Sequence, residues 1–324
     1  MGDTSNIEWC DSTFNPWMGC TKVSPACDHC YAERDTKRFG RVEWGAGKPR
    51  LRTSAANWRK PLQWNAKPFW QCAVCGLRAG SPMQAQCVMR DDALRTQHRW
   101  EPARRRVFCA SLADVFDNEV DPQWRHDLFG LIKDTPNLDW LLLTKRIGNV
   151  LKLVDRQVFE ELPNIWLGAT VVNQAEADRD IPKLLAVPTR VRFLSIEPML
   201  GAITLDYTWL YPANDEWPRQ GNGNLISWVI CGGESGPKAR PMHPDWVRSL
   251  RDQCAAAGAP MLFKQWGEWA PPPSDYASEQ MESDELAGKF NGEMLRVGKK
   301  AAGRLLDGRT HDGFPASANE VPQT

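Results

Sequence analysis

The sequence predicts an α/β fold, a partial parallel βα barrel carrying a small cysteine-containing insertion. Three observations point there. From residue 107 onward six short, nearly continuous apolar runs recur: VFCASLAD (107–114), WLLLTKR (140–146), IWLGATVV (165–172), VRFLSIEPM (191–199), WVICGGESG (228–236) and MLFKQWG (261–267). Each ends in polar or glycine residues, as strands covered on both faces and open at one end do. Most of their starts lie about 25 to 36 residues apart, room for a crossover helix in each interval, and such repetition of strand, polar tip and helix is the pattern of a βα barrel or a doubly wound sheet.

In chain order, residues 1–65 read as the first part of the barrel, with GCTKVSPACDHC (19–30) running directly into the helix-like YAERDTKRF (31–39). Residues 66–102 interrupt the rhythm with Pro68, three cysteines and a run of Arg, Gln and Asp, and are expected to form an inserted module. The rest of the barrel occupies 103–270. Within it PQWRHDLFGLIKDT (122–135) has Pro at a first helical position, NQAEADRDIPKLLAV (173–187) predicts a helix with a boundary or kink near Pro182, and HPDWVRSLRDQCAAAG (243–258) predicts a helix stopping at Gly258. The Gly-, Pro- and Asn-rich interval 200–227 reads as a surface excursion. After PPPSD (271–275) the pattern fades, and GKKAAGRLLDGRTHDGFP (298–315) predicts a hairpin or lid before a loose tail, the whole of 271–324 forming a C-terminal appendage.

The 324 residues suffice to bury a core without disulfide staples. Forty basic side chains balance forty acidic ones, which excludes the global basic field of a non-specific nucleic-acid binder and leaves room only for a local patch. With no basic N-terminal segment leading into an apolar run, and no apolar stretch of about 18 residues, the expectation is a cytoplasmic protein without a membrane partner. Ten cysteines then favour metal or redox chemistry over disulfides. Three lie in 20–30 and three in 72–87, whereas Cys10, Cys109, Cys231 and Cys254 stand alone and read as small buried apolar residues. Among 16 tryptophans, Trp140, Trp166 and Trp228 fall in strand-like runs and read as core.

Cys20, Cys27 and Cys30 form a C-x6-C-x2-C array. Three thiolates from one loop can hold three irons of a cubane 4Fe-4S cluster and leave the fourth iron open to a small molecule, a vacancy that four-cysteine electron-transfer sites lack. The alternative is a zinc knuckle completed by His29 or a more distant ligand. GCTKVSPACDHCYAE, VFCASLADVFD, WLLLTKR, FLSIEPMLG and VICGGESGPKARPMHPDWVR, in that order over residues 6–270, resemble a phage- and bacteria-associated family of three-cysteine radical S-adenosylmethionine (SAM)-like proteins of unassigned function. That family is more distantly similar to the spore photoproduct lyase type of radical SAM enzyme. The commonest array of such enzymes is C-x3-C-x2-C, so the six-residue first spacer departs from it. The resemblance implies a barrel of the radical SAM type, in which SAM chelates the open iron through its amino and carboxylate groups. An electron from the reduced cluster then splits the sulfonium into methionine and a 5′-deoxyadenosyl radical.

In parallel βα architectures the carboxyl ends of the strands form the active face. Ser111 and Asp114, Thr144, Lys145 and Arg146, Thr170, Ser195 and Glu197, and Gly232, Gly233, Glu234 and Ser235 sit at the ends of apolar runs and are expected around one mouth. Together with Tyr31, directly after Cys30, they form the expected SAM site, to which Arg146 and Thr170 add polar tips. Adjacent glycines expose backbone N–H groups to a ligand, and Glu234 can accept from an amine or a ribose hydroxyl. Lys145 pairs with the SAM carboxylate, a role implied by the photoproduct lyase resemblance, or stands solvated beyond its strand. Glu197, whose backbone Pro198 biases toward an extended conformation, contacts SAM ribose or substrate, or serves in a cap or ion pair. Lys145 and Glu197 are the candidate catalytic residues. His243 either meets substrate or caps the helix that follows it.

Cys72, Cys75 and Cys87 follow a C-x2-C-x11-C spacing, and the CxxCG turn is that of many zinc knuckles. Zinc with His98 as fourth ligand is the expectation, with a second iron–sulfur cluster or unligated thiols as alternatives. Arg78, Arg90, Arg95, Arg99, Arg104, Arg105 and Arg106 suit either a nucleic-acid backbone or a solvated surface. The expected function is a radical SAM enzyme supplied with electrons by a flavodoxin- or ferredoxin-like reductant. The phage association of the resembling family suggests nucleobase chemistry, with modified thymine in phage DNA ahead of tRNA, peptide or small-molecule targets. The rivals are a radical SAM DNA-lesion lyase and a non-enzymatic zinc-containing nucleic-acid adaptor.

Overall fold

Seven parallel strands form one sheet in sequential order: β1 (Ser12–Phe14), β2 (Arg105–Cys109), β3 (Leu138–Thr144), β4 (Ile165–Thr170), β5 (Val191–Ile196), β6 (Trp228–Gly232) and β7 (Met261–Gln265). The computed structural model describes residues 3–38, 40, 42–81, 99–210, 225–273 and 276–315. Each of the six apolar runs supplies one strand, and the sheet curls into a half-barrel, the coarse architecture expected. β1, three residues long, is too short to announce itself by pattern.

Four helices matter for the site and its support: α1 (Tyr31–Arg38), α2 (Pro122–Lys133), α3 (Gln174–Leu185) and α4 (Pro244–Ala256). The last three start at side-chain caps, with Asp121, Asn173 and His243 each accepting a first-turn backbone N–H. His243 thus takes the capping role, its Nδ1 accepting from the Asp245 N–H at 3.1 Å. Pro182 does not end α3, which runs on to Leu185. A helix-interior proline costs about 3 kcal/mol. Fully burying Ile181 and Leu184 beside it returns about 1.5–3 kcal/mol each, so packing carries the helix through.

Alternation along the strands divides the sheet into two faces. Trp140 and Leu142 of β3, Leu167 of β4 and Leu194 of β5 share one apolar cluster with Leu128 and Ile132 of α2, Ile181 and Leu184 of α3, and Val247 and Leu250 of α4. On the concave face Phe108, Leu141, Trp166, Phe193, Trp228, Ile230 and Leu262 pack with Trp9. Gly168 makes room there, since a Cβ would lie 2.3 Å from the Phe193 ring. Trp140, Trp166 and Trp228 are buried, as are Cys10, Cys109, Cys231 and Cys254.

The stretch expected as a hairpin or lid is an edge cover. It runs antiparallel along β7: Trp266 N–H donates to Gly303 O (3.1 Å), Phe263 N–H to His311 O (2.9 Å) and Gly313 N–H to Met261 O (2.9 Å). Phe314 then packs on Trp228 and under Arg106. A strand edge left bare would invite pairing with another chain, and this segment occupies it. The tail after residue 315 lies outside the described residues. No helix among the described residues is long and apolar enough to cross a membrane.

Candidate functional site

The first cysteine loop opens at Gly19, whose φ of 101° belongs to glycine and where a Cβ would press on Val42 and Arg50. Ser24 caps the short turn Pro25–Cys27, and Cys30 leads into α1. The loop lies across the carboxyl ends of the strands and is gripped from both sides. Arg146, just past β3, donates to Cys20 Sγ (3.2 Å) and to Thr21 O (2.6 Å). Glu234, just past β6, shares a hydrogen bond with His29 Nδ1 (3.1 Å) and accepts from the Arg240 guanidinium at 2.8 and 2.9 Å. Arg240 in turn donates to Pro25 O (2.9 Å) and Asp28 Oδ2 (3.0 Å). The Tyr31 hydroxyl donates to Ser111 O (2.9 Å), just past β2.

Arg146 is buried and held by Asp114 at 3.3 Å and Asp117 at 3.9 Å. Burial works against its charge, but Asp114, Cys20 and Asp117 outweigh burial and raise its pKa. The Cys20 thiol is pushed up to about 12, by burial first and then by Asp114, with Arg146 opposing. Among the described residues no group of three His, Cys, Asp or Glu side chains is placed to hold a single metal ion. A cubane makes a different demand, because each thiolate takes its own iron.

Below the loop, the concave side of the mouth carries a second set of polar groups. Lys264 of β7 places Nζ 3.2 Å from Glu197 Oε1, and Ser195 Oγ donates to Glu197 Oε2 (3.3 Å). The Lys264 and Glu197 side chains are 22% and 14% exposed, so the pair is only partly wet. Burial disfavours the Lys264 charge, and Glu197 outweighs it, leaving the ammonium pKa raised. Gly232 borders the pair, where a Cβ would lie 3.0 Å from Glu197 Oε1. Thr170 is in register with Ser195, and its buried Oγ1 has no partner among the described residues. Lys145 follows Leu141 and Leu143 on the same side by alternation, and its ammonium meets no partner among the described residues.

Other expected SAM contacts are engaged by the protein itself. Asp114 accepts from Thr144 Oγ1 (2.8 Å) and from the N–H groups of Phe116 (2.9 Å) and Lys145 (3.0 Å), besides holding Arg146. Ser111 Oγ accepts from Asn15 Nδ2 (2.9 Å), and Ser235 Oγ from Gln265 Nε2 (2.9 Å). Burial raises the Glu234 pKa, but the Arg240 and His29 bonds prevail and hold it below the ordinary carboxylate value. Of the two glycines expected to expose N–H groups to a ligand, Gly233 is taken up by backbone packing. A Cβ on Gly233 would sit 1.8 Å from Trp266 O, and the Gly233 N–H donates to Gln265 O (2.9 Å). Asn15, Arg240 and Lys264 escape the sequence reading, and so does the part played by Arg146. The one local signal among them is Lys264, a lone charge inside the apolar run MLFKQWG.

The second cysteine group belongs to a three-stranded antiparallel sheet, with Trp70–Cys72 between Arg78–Ala79 and Trp100–Pro102. Cys72 and Cys75 flank its tight turn, where Gly76 (φ 70°) donates its N–H to Cys72 O (3.0 Å). Cys87, His98, Arg90 and Arg95 lie outside the described residues. The module docks at the amino ends of the strands. Arg78 donates to the Asp11 carboxylate at 3.0 to 3.1 Å, and Asp11 also accepts from the Arg106 N–H (2.7 Å) at the start of β2. Arg104 lies 3.5 Å from Asp139 at the start of β3. Arg78 and Arg105 stack over Phe69, and Arg106 over Trp166 and Phe314. These four arginines are thus turned to carboxylates and rings of their own protein, while exposed Arg99 pairs with Glu101 (2.6 Å).

A family model described as protein of unknown function (DUF5131) matches residues 4–315. The chain belongs to this family. The match takes in both cysteine groups and all seven strands of the sheet. No curated protein and no solved structure matches the chain.

Proposed function

We propose that this protein is a radical SAM enzyme in which Cys20, Cys27 and Cys30 hold a 4Fe-4S cluster over the concave mouth of the half-barrel. The observation that carries the reading is the seating of the cysteine loop across the carboxyl ends of parallel strands, gripped by Arg146 on one side and by Glu234 and Arg240 on the other. The donor set fits such a group: none of the three cysteines is in a disulfide, and the polar atoms of the mouth include the buried Thr170 hydroxyl and the half-buried Lys145 ammonium, neither with a partner among the described residues. Buried polar atoms without partners call for a ligand or water. When bound, the cluster and SAM would supply reductive cleavage of the sulfonium and a carbon radical able to abstract hydrogen.

The remaining work falls to the chain's own residues. Lys145 offers an ammonium for a carboxylate, and Glu197, paired with Lys264, accepts from hydroxyl or amine groups. Asp114 and Thr144 hold Arg146 in place, while Ser111 anchors Tyr31 through its carbonyl. The Trp166, Phe193 and Trp228 wall below keeps water from the mouth's floor. At the second group we assign zinc to Cys72 and Cys75, with Cys87 and His98. A flavodoxin- or ferredoxin-like reductant in the cytoplasm would supply the electron. The narrower substrate proposal, a nucleobase and first a modified thymine in phage DNA, rests on the phage association of the resembling family. The direct test is product analysis: anaerobically reconstituted protein given SAM and dithionite should release 5′-deoxyadenosine and methionine in equal amounts. Full cluster content with neither product would sink the proposal.

A further inference from the structure

We infer that Arg146 is a positioning residue that tunes the cluster through Cys20, raising its reduction potential by donating a charged N–H to one of the three ligating sulfurs. This rests on the radical SAM reading and adds to it a residue for which neither the motif nor the family supplies a role. Three observations carry it. Arg146 Nη1 lies 3.2 Å from Cys20 Sγ, and Nη2 holds the adjoining Thr21 carbonyl at 2.6 Å, so the guanidinium is fixed on the sulfur by two points. Among the described residues neither Cys27 nor Cys30 has a side-chain donor on its sulfur, so the contact singles out one corner of the site. Finally, the Arg146 side chain is 6% exposed, where solvent screens its charge little.

The neighbouring charges leave this donor intact. Arg50 takes Asp117 at 2.8 Å, both side chains 1% exposed, so Asp114 at 3.3 Å is the nearer counter-ion of Arg146 and Asp117 at 3.9 Å a shared one. The Asp114 carboxylate is itself shared among Thr144 and two backbone N–H groups, which spreads its charge away from the guanidinium. Reduction adds one electron to the cluster from a low-potential electron-transfer protein, or from dithionite in an assay. No atom is transferred, and Arg146 stays protonated throughout. A positive donor on sulfur favours the more negative, reduced cluster over the oxidised one, and hydrogen bonds to sulfur and net charge are the protein's means of setting such potentials.

The test is an EPR-monitored redox titration of the full-length reconstituted protein without SAM, comparing the parent with Arg146→Met and Arg146→Lys. The Met variant should titrate at a more negative potential, with Lys between it and the parent. A merely structural role would lower iron content without moving the potential of the clusters that remain, so an unshifted Arg146→Met overturns the inference. Should that variant fail to hold iron, parent protein labelled with ¹⁵N in its arginine guanidinium groups decides by pulsed EPR of the reduced cluster. A ¹⁵N coupling supports the contact, and its absence overturns it. A parent chain that assembles no 4Fe-4S cluster overturns the radical SAM reading and this inference with it, whereas a SAM-responsive cluster with no Arg146 effect overturns this inference alone.

Discussion

The two cysteine groups occupy opposite ends of the same parallel strands, and their surroundings differ in kind. At the carboxyl ends, Cys20, Cys27 and Cys30 ride on a loop that has turn bonds of its own, Cys27 N–H to Ser24 O (2.8 Å) and Cys30 N–H to Cys27 O (3.3 Å), and is held besides by charged side chains from distant strand tips. At the amino ends, Cys72 and Cys75 sit in a turn closed by its own backbone, on a module whose arginines are satisfied by Asp11, Asp139 and aromatic rings. The seven residues of β3, at about 3.3 Å each, set the two ends about 20 Å apart. A metal at the lower group therefore cannot share ligands with one at the upper. On the proposed reading, the contrast separates a site completed by a cofactor from one that holds an insertion in shape.

The comparison breaks most sharply at the upper cysteines. Cys20→Ala, Cys27→Ala and Cys30→Ala should each reduce SAM cleavage to background, measured as 5′-deoxyadenosine, because each removes the ligand of one iron, while circular dichroism stays that of the parent. Near-normal product from any one of them would end the assignment of that loop.

Next come the groups of the concave mouth. Lys145→Ala and Lys264→Met should weaken SAM binding roughly ten- to a hundredfold, the worth of one charge-assisted contact in a partly dry site, with iron content unchanged. Anaerobic calorimetry reads this directly, and parent-like affinity in both would move the SAM site to other strand tips.

Glu234 gives a smaller effect of a different sort. Because it binds Arg240 and His29, Glu234→Ala should loosen the cysteine loop, costing about 1–3 kcal/mol and some cluster retention, with SAM affinity of the loaded fraction preserved. Its folded pKa is lowered, so the stability it adds is full at neutral pH and fades as pH falls below the ordinary carboxylate value of about 4.3. Acid unfolding of Glu234→Gln against the parent should show a difference that narrows below that value. A gap that stays constant with pH would detach Glu234 from the anchoring role.

At the lower group the expected effect on catalysis is nil. Cys72→Ser with Cys75→Ser should release about one zinc per chain and soften the insertion, yet leave SAM cleavage unchanged. Loss of iron in place of zinc, by elemental analysis, would make the two groups more alike than their surroundings imply.

Much of the frame is legible in the sequence because buried parallel strands need continuous apolar runs, and all six runs after residue 107 are strands. The pattern is silent on β1 and on the short helices Val150–Leu153 and Arg156–Glu161, which are too brief to establish a period. At the site, the cysteine spacing and the polar tips can be read locally. Which tip meets which loop cannot, since Arg146 reaches back 126 residues to Cys20 and Arg240 reaches back 212 to Asp28. Glu234 shows the consequence: its residue type and position fit a ligand contact, and only the folded chain reveals Arg240 already on both of its oxygens.

The central claim, that the upper group alone carries a SAM-binding cluster, is tested most directly by EPR of the anaerobically reconstituted, dithionite-reduced protein with and without SAM, alongside metal analysis. The account predicts a reduced 4Fe-4S signal that SAM alters, lost on Cys27→Ala and kept when Cys72 and Cys75 are replaced. Zinc at both groups, with no cluster signal that responds to SAM, would contradict it.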